Sequence, residues 1–139
     1  MSDGERTTPV PPSVGVDLVE IPRIARAIER WGDRMLKRVY TPAELALCRG
    51  RVPELAARFA AKEAVSKALG VGIWWRGGIG WKDAEVLSDP IGKPEVFLYG
   101  RAADRARELG LDQWAISLSH TQEQAIAVVV ATRNGRFSL

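Results

Sequence analysis

One segment of the chain, residues 58–70, constrains the fold more than any other. It reads RFAAKEAVSKALG, and its alanines, leucine and straight-chain charged residues favour an α-helix. Gly70 stands where a left-handed C-cap would end that helix. Helical spacing gathers a face of mostly small residues, namely Phe59, Ala60, Ala64 and Ala68. We therefore expect this helix to lie close against a sheet.

The rest of the helix carries charge. Arg58 and Lys62 lie one turn apart, and Glu63, Ser66 and Lys67 follow at helical spacing, which predicts that these three side chains point the same way. One interpretation of Glu63 and Lys67 is a solvated ion pair, contributing about 0.3–0.5 kcal/mol. The other is a carboxylate that binds a divalent metal beside a lysine that binds phosphate, because Mg²⁺ usually takes one or two carboxylates plus substrate phosphates. The spacing alone does not choose between them.

Composition indicates one globular domain. The chain has 139 residues, of which 46% are hydrophobic and 27% charged, and no apolar run approaches the roughly 20 residues of a membrane helix. Residues 1–13 are polar and do not resemble a signal peptide. Cys48 is the only cysteine, which fits a reducing cytoplasm. We predict flexible tails at 1–13 and 133–139 around a domain at 14–132.

The remaining pattern predicts an α+β fold with a largely antiparallel sheet packed with helices. Strands are expected at 14–19, 81–87, 94–99, 114–119 and 124–131, with a helix at 102–109. The nearly continuous apolar run at 124–131 predicts a strand covered on both faces. Thr41 and Glu44 form a capping box, so we interpret Glu44 as structural.

Asp17 is the one acid within the first predicted strand. A carboxylate among apolar residues is costly to bury unless it is paired or binds a metal. The alternative is a carboxylate that backbone donors satisfy at the end of the strand. The residues of the strand leave both open.

Residues 22–39 predict a helix with an apolar stripe opposite a row of five arginines, which we call the arginine ridge. Gly32 and Asp33 are expected to divide this helix, with Asp33 as a second N-cap. The ridge is either a solvated face or a surface for an anionic partner, and like charges at this spacing repel one another. It consists of Arg23, Arg26, Arg30, Arg34 and Arg38.

A nucleic-acid-binding module is one alternative for such a ridge, since arginines can follow a phosphate backbone. That reading accounts for the arginines. It does not account for Asp17 and Glu63, whose carboxylates would repel phosphates.

Five motifs in this order resemble the holo-[acyl-carrier-protein] synthase family of small 4'-phosphopantetheinyl transferases. They are GVDLVEI at 15–21, YTPAEL at 40–45, the segment 58–70, GKP at 92–94 and SLSHT at 117–121. The resemblance covers about residues 14–131, although the N-terminal extension and the loop with Trp74 and Trp75 depart from the family pattern. It implies the 4'-phosphopantetheinyl transferase-like fold and a homotrimer with a shared β core and active sites between neighbouring chains.

The resemblance also implies the reaction. The family transfers 4'-phosphopantetheine from coenzyme A to a serine of apo acyl carrier protein, with Mg²⁺, and releases adenosine 3',5'-bisphosphate. The matching motifs imply that Asp17 and Glu63 bind Mg²⁺ and that Lys67 supplies charge to the phosphates. They also imply that Glu63 accepts the serine proton, directly or through metal-bound water. The carrier could belong to fatty-acid, polyketide or peptide synthesis.

The remaining site residues follow from the same motifs. From turn chemistry alone, Lys93 and Pro94 are predicted to be the tail of a hairpin. His120 is the only histidine in the sequence, so a zinc site of two or three histidines within one chain is excluded. Docking of the acidic carrier is expected at Arg23, Arg26 and Arg34, with Arg38 beyond the predicted bend. Coenzyme A is expected to contact Lys62, Ser66, Lys67, Gly92, Lys93, Pro94, His120 and Thr121.

Overall fold

The computed structural model describes residues 10–74 and 76–133, and the statements below concern these residues. Two antiparallel sheets, ordered β1-β5-β4 and β2-β3, pack with helices, which confirms the α+β prediction. Predictions for residues 1–9, Trp75 and 134–139 lie outside the described residues. The elements in chain order are β1 (Ser13–Glu20), α1 (Ile21–Trp31), α2 (Asp33–Val39), α3 (Pro42–Cys48), α4 (Val52–Leu69), β2 (Ala84–Ser88), β3 (Pro94–Leu98), α5 (Gly100–Leu109), β4 (Gln113–His120) and β5 (Gln124–Thr132).

Helix α4 forms the centre of the core. Its alanines pack against β1 and β5, as its small-residue face predicted, and Gly70 ends it with a φ of 71°. Arg58 and Lys62, which helical spacing places away from the small-residue face, are buried as well. Burial on nearly all sides requires polar partners for both cations. These come from α3, from β2, from the backbone of Trp81 and, for Arg58, also from Glu54 of α4 itself.

The closest approach of strand and helix occurs at Gly15. A Cβ atom built on Gly15 would lie 1.9 Å from the carbonyl oxygen of Ala64, so no side chain fits there. Strand β1 therefore crosses α4 in direct backbone contact. This crossing brings Asp17, two residues along β1, to the side of α4 that bears Glu63.

The expected break in the first long helix is present. Gly32 has a φ of 55° and is the N-cap of α2, so Asp33 is the first helical residue instead of the predicted cap. The capping box of α3 is confirmed, because the Glu44 amide donates to the Thr41 hydroxyl at 3.2 Å and the Thr41 amide donates to Glu44 Oε1 at 2.9 Å. A turn of 3-10 helix at Trp81–Asp83 replaces the start of the strand predicted at 81–87.

The sheet β1-β5-β4 is covered by α4 on one face only. On that face alternate residues of β5 are fully buried. On the other face Val14, Val16 and Leu18 of β1 are 57%, 48% and 55% exposed, and their β5 partners are half-buried. Among the described residues of one chain only one face of 124–131 is covered, so the predicted coverage of both faces requires a further partner.

Candidate functional site

Asp17 of β1 and Glu63 of α4, which we call the acid pair, lie within electrostatic reach of each other. Burial, followed by the charge on Asp17, raises the pKa of Glu63, while the cations Lys67 and Arg23 act in the opposite direction. Lys67 Nζ donates to Asp17 Oδ1 at 3.1 Å. Two carboxylates and an ammonium from segments about 50 residues apart thus share one corner of the fold.

The donor chemistry of the acid pair fits a hard divalent cation. Among the described residues there is no group of three or more His, Cys, Asp or Glu side chains that could hold a metal by themselves. Two carboxylates leave most ligand positions to water or to substrate oxygens, which is how Mg²⁺ is usually bound beside phosphates. The pair therefore fits Mg²⁺ shared with a phosphorylated substrate.

Lys67 is the cation of this corner that solvent reaches. Its side chain is 56% exposed and that of Asp17 is 19% exposed. Ser66, another residue predicted to contact coenzyme A, does not join them. Its side chain is buried and its hydroxyl donates to the Glu63 carbonyl oxygen at 2.7 Å, because its position on α4 turns it toward the core.

Lys62 was also predicted to contact coenzyme A, and the structure places it in the core. Its ammonium is fully buried and donates to both oxygens of Glu44 at 2.8 and 3.0 Å. The carbonyl oxygens of Trp81 and Ala84 accept from it at 3.1 and 2.7 Å. Burial lowers the pKa of Lys62, and the Glu44 carboxylate opposes that shift. With four oxygen partners inside the core, Lys62 is a structural cation that ties α4 to α3 and β2.

A separate cavity of about 190 Å³ lies between the N-terminal half of α4, the β2–β3 turn and the end of β4. It brings together Gly92, Pro94 and His120, three residues that were predicted to contact coenzyme A. Neither Lys93 nor Thr121 lines it. The Thr121 hydroxyl instead accepts the backbone amides of residues 123 and 124 in the β4–β5 turn.

Arg58 lines the same cavity, and the sequence analysis gave it no role. Its guanidinium is held by Val86 O at 3.1 Å, Glu54 Oε1 at 2.9 Å and Ser88 Oγ at 3.1 Å. The only sequence signal was the spacing of Glu54 and Arg58, which is typical of an ordinary surface ion pair. The structure makes it a rigid positive group on the wall of a cavity.

The arginine ridge is exposed along α1 and α2, and within residues 10–74 and 76–133 none of its arginines has a salt bridge. Its first member, Arg23, lies close enough to Glu63 to influence its pKa. At the other end, Arg38 lies over the exposed Trp74 ring at 5.9 Å. A largely apolar groove of about 340 Å³ runs beside it, lined by Trp31, Arg34, Met35, Arg38 and Val39. The ridge thus joins the acid pair to an apolar groove.

Fold and site together define a class. A two-carboxylate site of the Mg²⁺ type, an exposed lysine and a cavity with a fixed arginine are typical of an enzyme that acts on a phosphorylated cosubstrate. The chain belongs to the 4'-phosphopantetheinyl transferase superfamily, whose family model matches residues 13–129. This confirms the resemblance and the fold expected from the five motifs.

Individual relatives and solved structures agree with this family assignment. A holo-[acyl-carrier-protein] synthase of Herpetosiphon aurantiacus is 52% identical over 120 residues, which are 84% of this chain and 94% of the relative. The holo-[acyl-carrier-protein] synthase of Helicobacter pylori, solved in complex with coenzyme A, superposes with a TM-score of 0.77 at 33% identity, covering 86% of this chain and 99% of that one. The Neisseria meningitidis synthase also gives 0.77, at 35% identity and covering 87% of this chain and 98% of that one.

No helix among the described residues has both the length and the apolar character needed to cross a membrane.

Proposed function

We propose that this chain transfers 4'-phosphopantetheine from coenzyme A to a serine hydroxyl of an apo acyl carrier protein. The observation that carries the proposal is the meeting of Asp17 and Glu63, with Lys67 beside them, at an open corner of the fold. Relatives at about 50% identity that bear the name holo-[acyl-carrier-protein] synthase, and a related structure with coenzyme A bound, support it. We place the reaction in the cytoplasm, where the buried Cys48 would stay reduced.

The chemistry assigns a role to each group. The serine oxygen bonds to the phosphorus on the pantetheine side of the coenzyme A diphosphate, and the bond from that phosphorus to the bridging oxygen breaks. Adenosine 3',5'-bisphosphate leaves. Asp17 and Glu63 would hold Mg²⁺, which, when bound, offsets negative charge on the diphosphate.

Glu63 accepts the serine proton. A carboxylate positioned beside the diphosphate can serve as that acceptor. Lys67, an exposed ammonium, contributes a point charge to the phosphates. The nucleophile is supplied by the carrier, so this chain needs no activated serine or cysteine of its own.

We assign the nucleotide end of coenzyme A to the cavity that Arg58 and His120 line. Gly92 and Pro94 form its opposite wall, where the absent side chain of Gly92 leaves room for a ring or a phosphate. Lys93 follows Gly92 on the exposed turn, and Thr121 follows His120 at the end of β4. Neither residue lines the cavity, so their contacts with coenzyme A would lie outside it.

We infer that three chains associate through the open face of the sheet β1-β5-β4. Val14, Val16 and Leu18 form an exposed apolar row there, and burying such a row is the usual driving force for a stable subunit interface. An association of this kind would also place the acid pair of one chain near the cavity of a neighbour. This open face is the surface that would form the shared β core implied by the resemblance.

Replacing Val16 with Asp is expected to dissociate the oligomer, because it puts a charge in the middle of that face. Light scattering after size-exclusion chromatography should give the 15.3 kDa mass of one chain for the variant and a multiple of it for the wild type. Ile91→Asp is the matched control, since Ile91 is 89% exposed on the β2–β3 turn. A wild-type protein that runs as one chain contradicts the association.

The arginine ridge is the proposed docking surface for the acidic carrier, at Arg23, Arg26 and Arg34, with Arg38 at its far end. Reversing charge in Arg26→Glu is expected to slow carrier association about tenfold at low salt and to flatten its salt dependence, because steering by opposite charge is screened by ions. Stopped-flow association should show this while coenzyme A affinity stays constant. Lys82→Glu, an exposed reversal on a different element, serves as control. An unchanged association rate for Arg26→Glu removes the ridge from docking.

The activity itself is tested by mass spectrometry of intact apo carriers incubated with the protein, coenzyme A and Mg²⁺. A phosphopantetheine adduct is expected on the carrier's serine, and a carrier with alanine at that serine should gain none. Carriers of fatty-acid, polyketide and peptide synthesis should be compared side by side. Absence of the adduct on every one of them would overturn the proposal.

A further inference from the structure

In the structure, Lys67 forms a salt bridge with Asp17. Its ammonium donates to Asp17 Oδ1 at 3.1 Å and to the Val16 carbonyl oxygen at 3.0 Å, so it is anchored to β1 at two points. We propose that Lys67 is an internal cation that competes with the divalent metal for Asp17, and that the phosphates of coenzyme A draw it away. This inference rests on the proposed function. It adds that the metal and coenzyme A each strengthen the binding of the other.

The charges of the corner support this competition. The ammonium lowers the pKa of Glu63 as well as contacting Asp17, so it interacts with both carboxylates, and Arg23 is a second cation that acts on Glu63. A divalent cation on the same carboxylates would repel that ammonium at short range, where unit charges interact strongly. Either Lys67 or the metal, but not both, can be the close partner of Asp17.

Lys67 is also free to exchange partners. Its side chain is 56% exposed, and exposed ion pairs of this kind are weak and readily replaced. Lys62, on the same helix, shows the contrast, because its ammonium is fully buried among four oxygen partners and has no alternative. Of these two lysines, only Lys67 can move from a carboxylate to a phosphate.

A thermodynamic coupling follows. Diphosphate oxygens would take Lys67 from Asp17, and the carboxylate that this frees would bind the metal more tightly. Such coupling is reciprocal, so the metal must raise coenzyme A affinity by the same factor. Until that exchange, Asp17 is paired with Lys67.

The test is a titration of the full chain with Mn²⁺, followed by the electron paramagnetic resonance signal of the free ion, without and with coenzyme A. Lys67→Gln is expected to bind Mn²⁺ about three- to tenfold more tightly than the wild type without coenzyme A, because it removes the competing charge. Lys67→Arg keeps the charge and should not show this gain. Lys82→Gln, which removes one exposed charge on another element, should match the wild type.

Adding coenzyme A should tighten Mn²⁺ binding to the wild type and tighten it less in Lys67→Gln. If Lys67→Gln binds Mn²⁺ no more tightly than the wild type without coenzyme A, the competition is overturned. The metal assignment is judged separately: it stands if the wild type binds Mn²⁺ and Asp17→Asn abolishes that binding. Failure of the wild type to bind Mn²⁺ even with coenzyme A overturns both that assignment and the competition.

Discussion

Glu63→Gln and Asp17→Ala are each expected to lower the rate of phosphopantetheine transfer by at least about 100-fold. Each removes a carboxylate that we assign to the metal, and the first also removes the proton acceptor, a contribution typically worth two to four orders of magnitude. Initial rates with saturating carrier and coenzyme A measure this. Glu108→Gln is the matched control, because Glu108 is 65% exposed on α5 and pairs only with Arg105 among the described residues. Full activity in either acid-pair variant removes the metal assignment.

The stability of Glu63→Gln separates a lost function from a lost fold. Burial and Asp17 raise the pKa of Glu63, so the folded chain holds that proton more tightly than the unfolded chain does. The ionised carboxylate therefore costs stability as pH rises through and above the ordinary carboxyl range. Without metal, Glu63→Gln should be more stable than the wild type at neutral pH, and the difference should vanish in acid. Thermal unfolding across that pH range would show an inactive variant that is better folded.

Lys62→Met is expected to destabilise the fold by about 3–5 kcal/mol, since it leaves Glu44 as an uncompensated charge in the core. Urea unfolding measures the loss. Lys82→Met, at an exposed lysine of the neighbouring turn, is the control and should cost little. A Lys62→Met protein of normal stability with weakened coenzyme A binding would instead restore the role predicted for Lys62 from the family motif.

The double variant Glu44→Gln with Lys62→Met isolates the ion pair. It removes both charges but keeps one of the two acceptor oxygens, since the Thr41 amide donates to Glu44 Oε1 at 2.9 Å and the Val86 amide donates to Glu44 Oε2 at 2.7 Å. We expect the pair to lose less stability than the sum of its single variants, because neither charge is then left alone. Additive losses would mean that Lys62 contributes packing without charge pairing.

Lysines 62 and 67 show what sequence reasoning does not decide. Both lie on α4, five residues apart, in a motif that the family uses for its reaction. The pattern assigned both to coenzyme A, yet one is fully buried and the other is 56% exposed. Helical periodicity predicts which residues share a face, but α4 packs on nearly every side, so a position on the helix says little about exposure.

The sequence predicted much of the architecture. Capping signals predicted the start of α3 and the end of α4, and alternating or apolar runs predicted the strands, because these depend on neighbours within a few residues. The exposure of Val14, Val16 and Leu18 on β1 was not predicted. An apolar run looks alike whether it packs on its own chain or on another.

By itself, the sequence determined the family, the antiparallel α+β order, the chemistry-bearing motifs and the cationic helix, all of which follow from local periodicity, turn residues and motif spacing. Only the tertiary structure decided which of those residues meet. The backbone contact at Gly15 brings Asp17 to α4, the cavity wall gives Arg58 a place, and the core encloses Lys62. The physical reason is that burial and long-range contact depend on how whole elements pack, and no window of neighbouring residues contains that information.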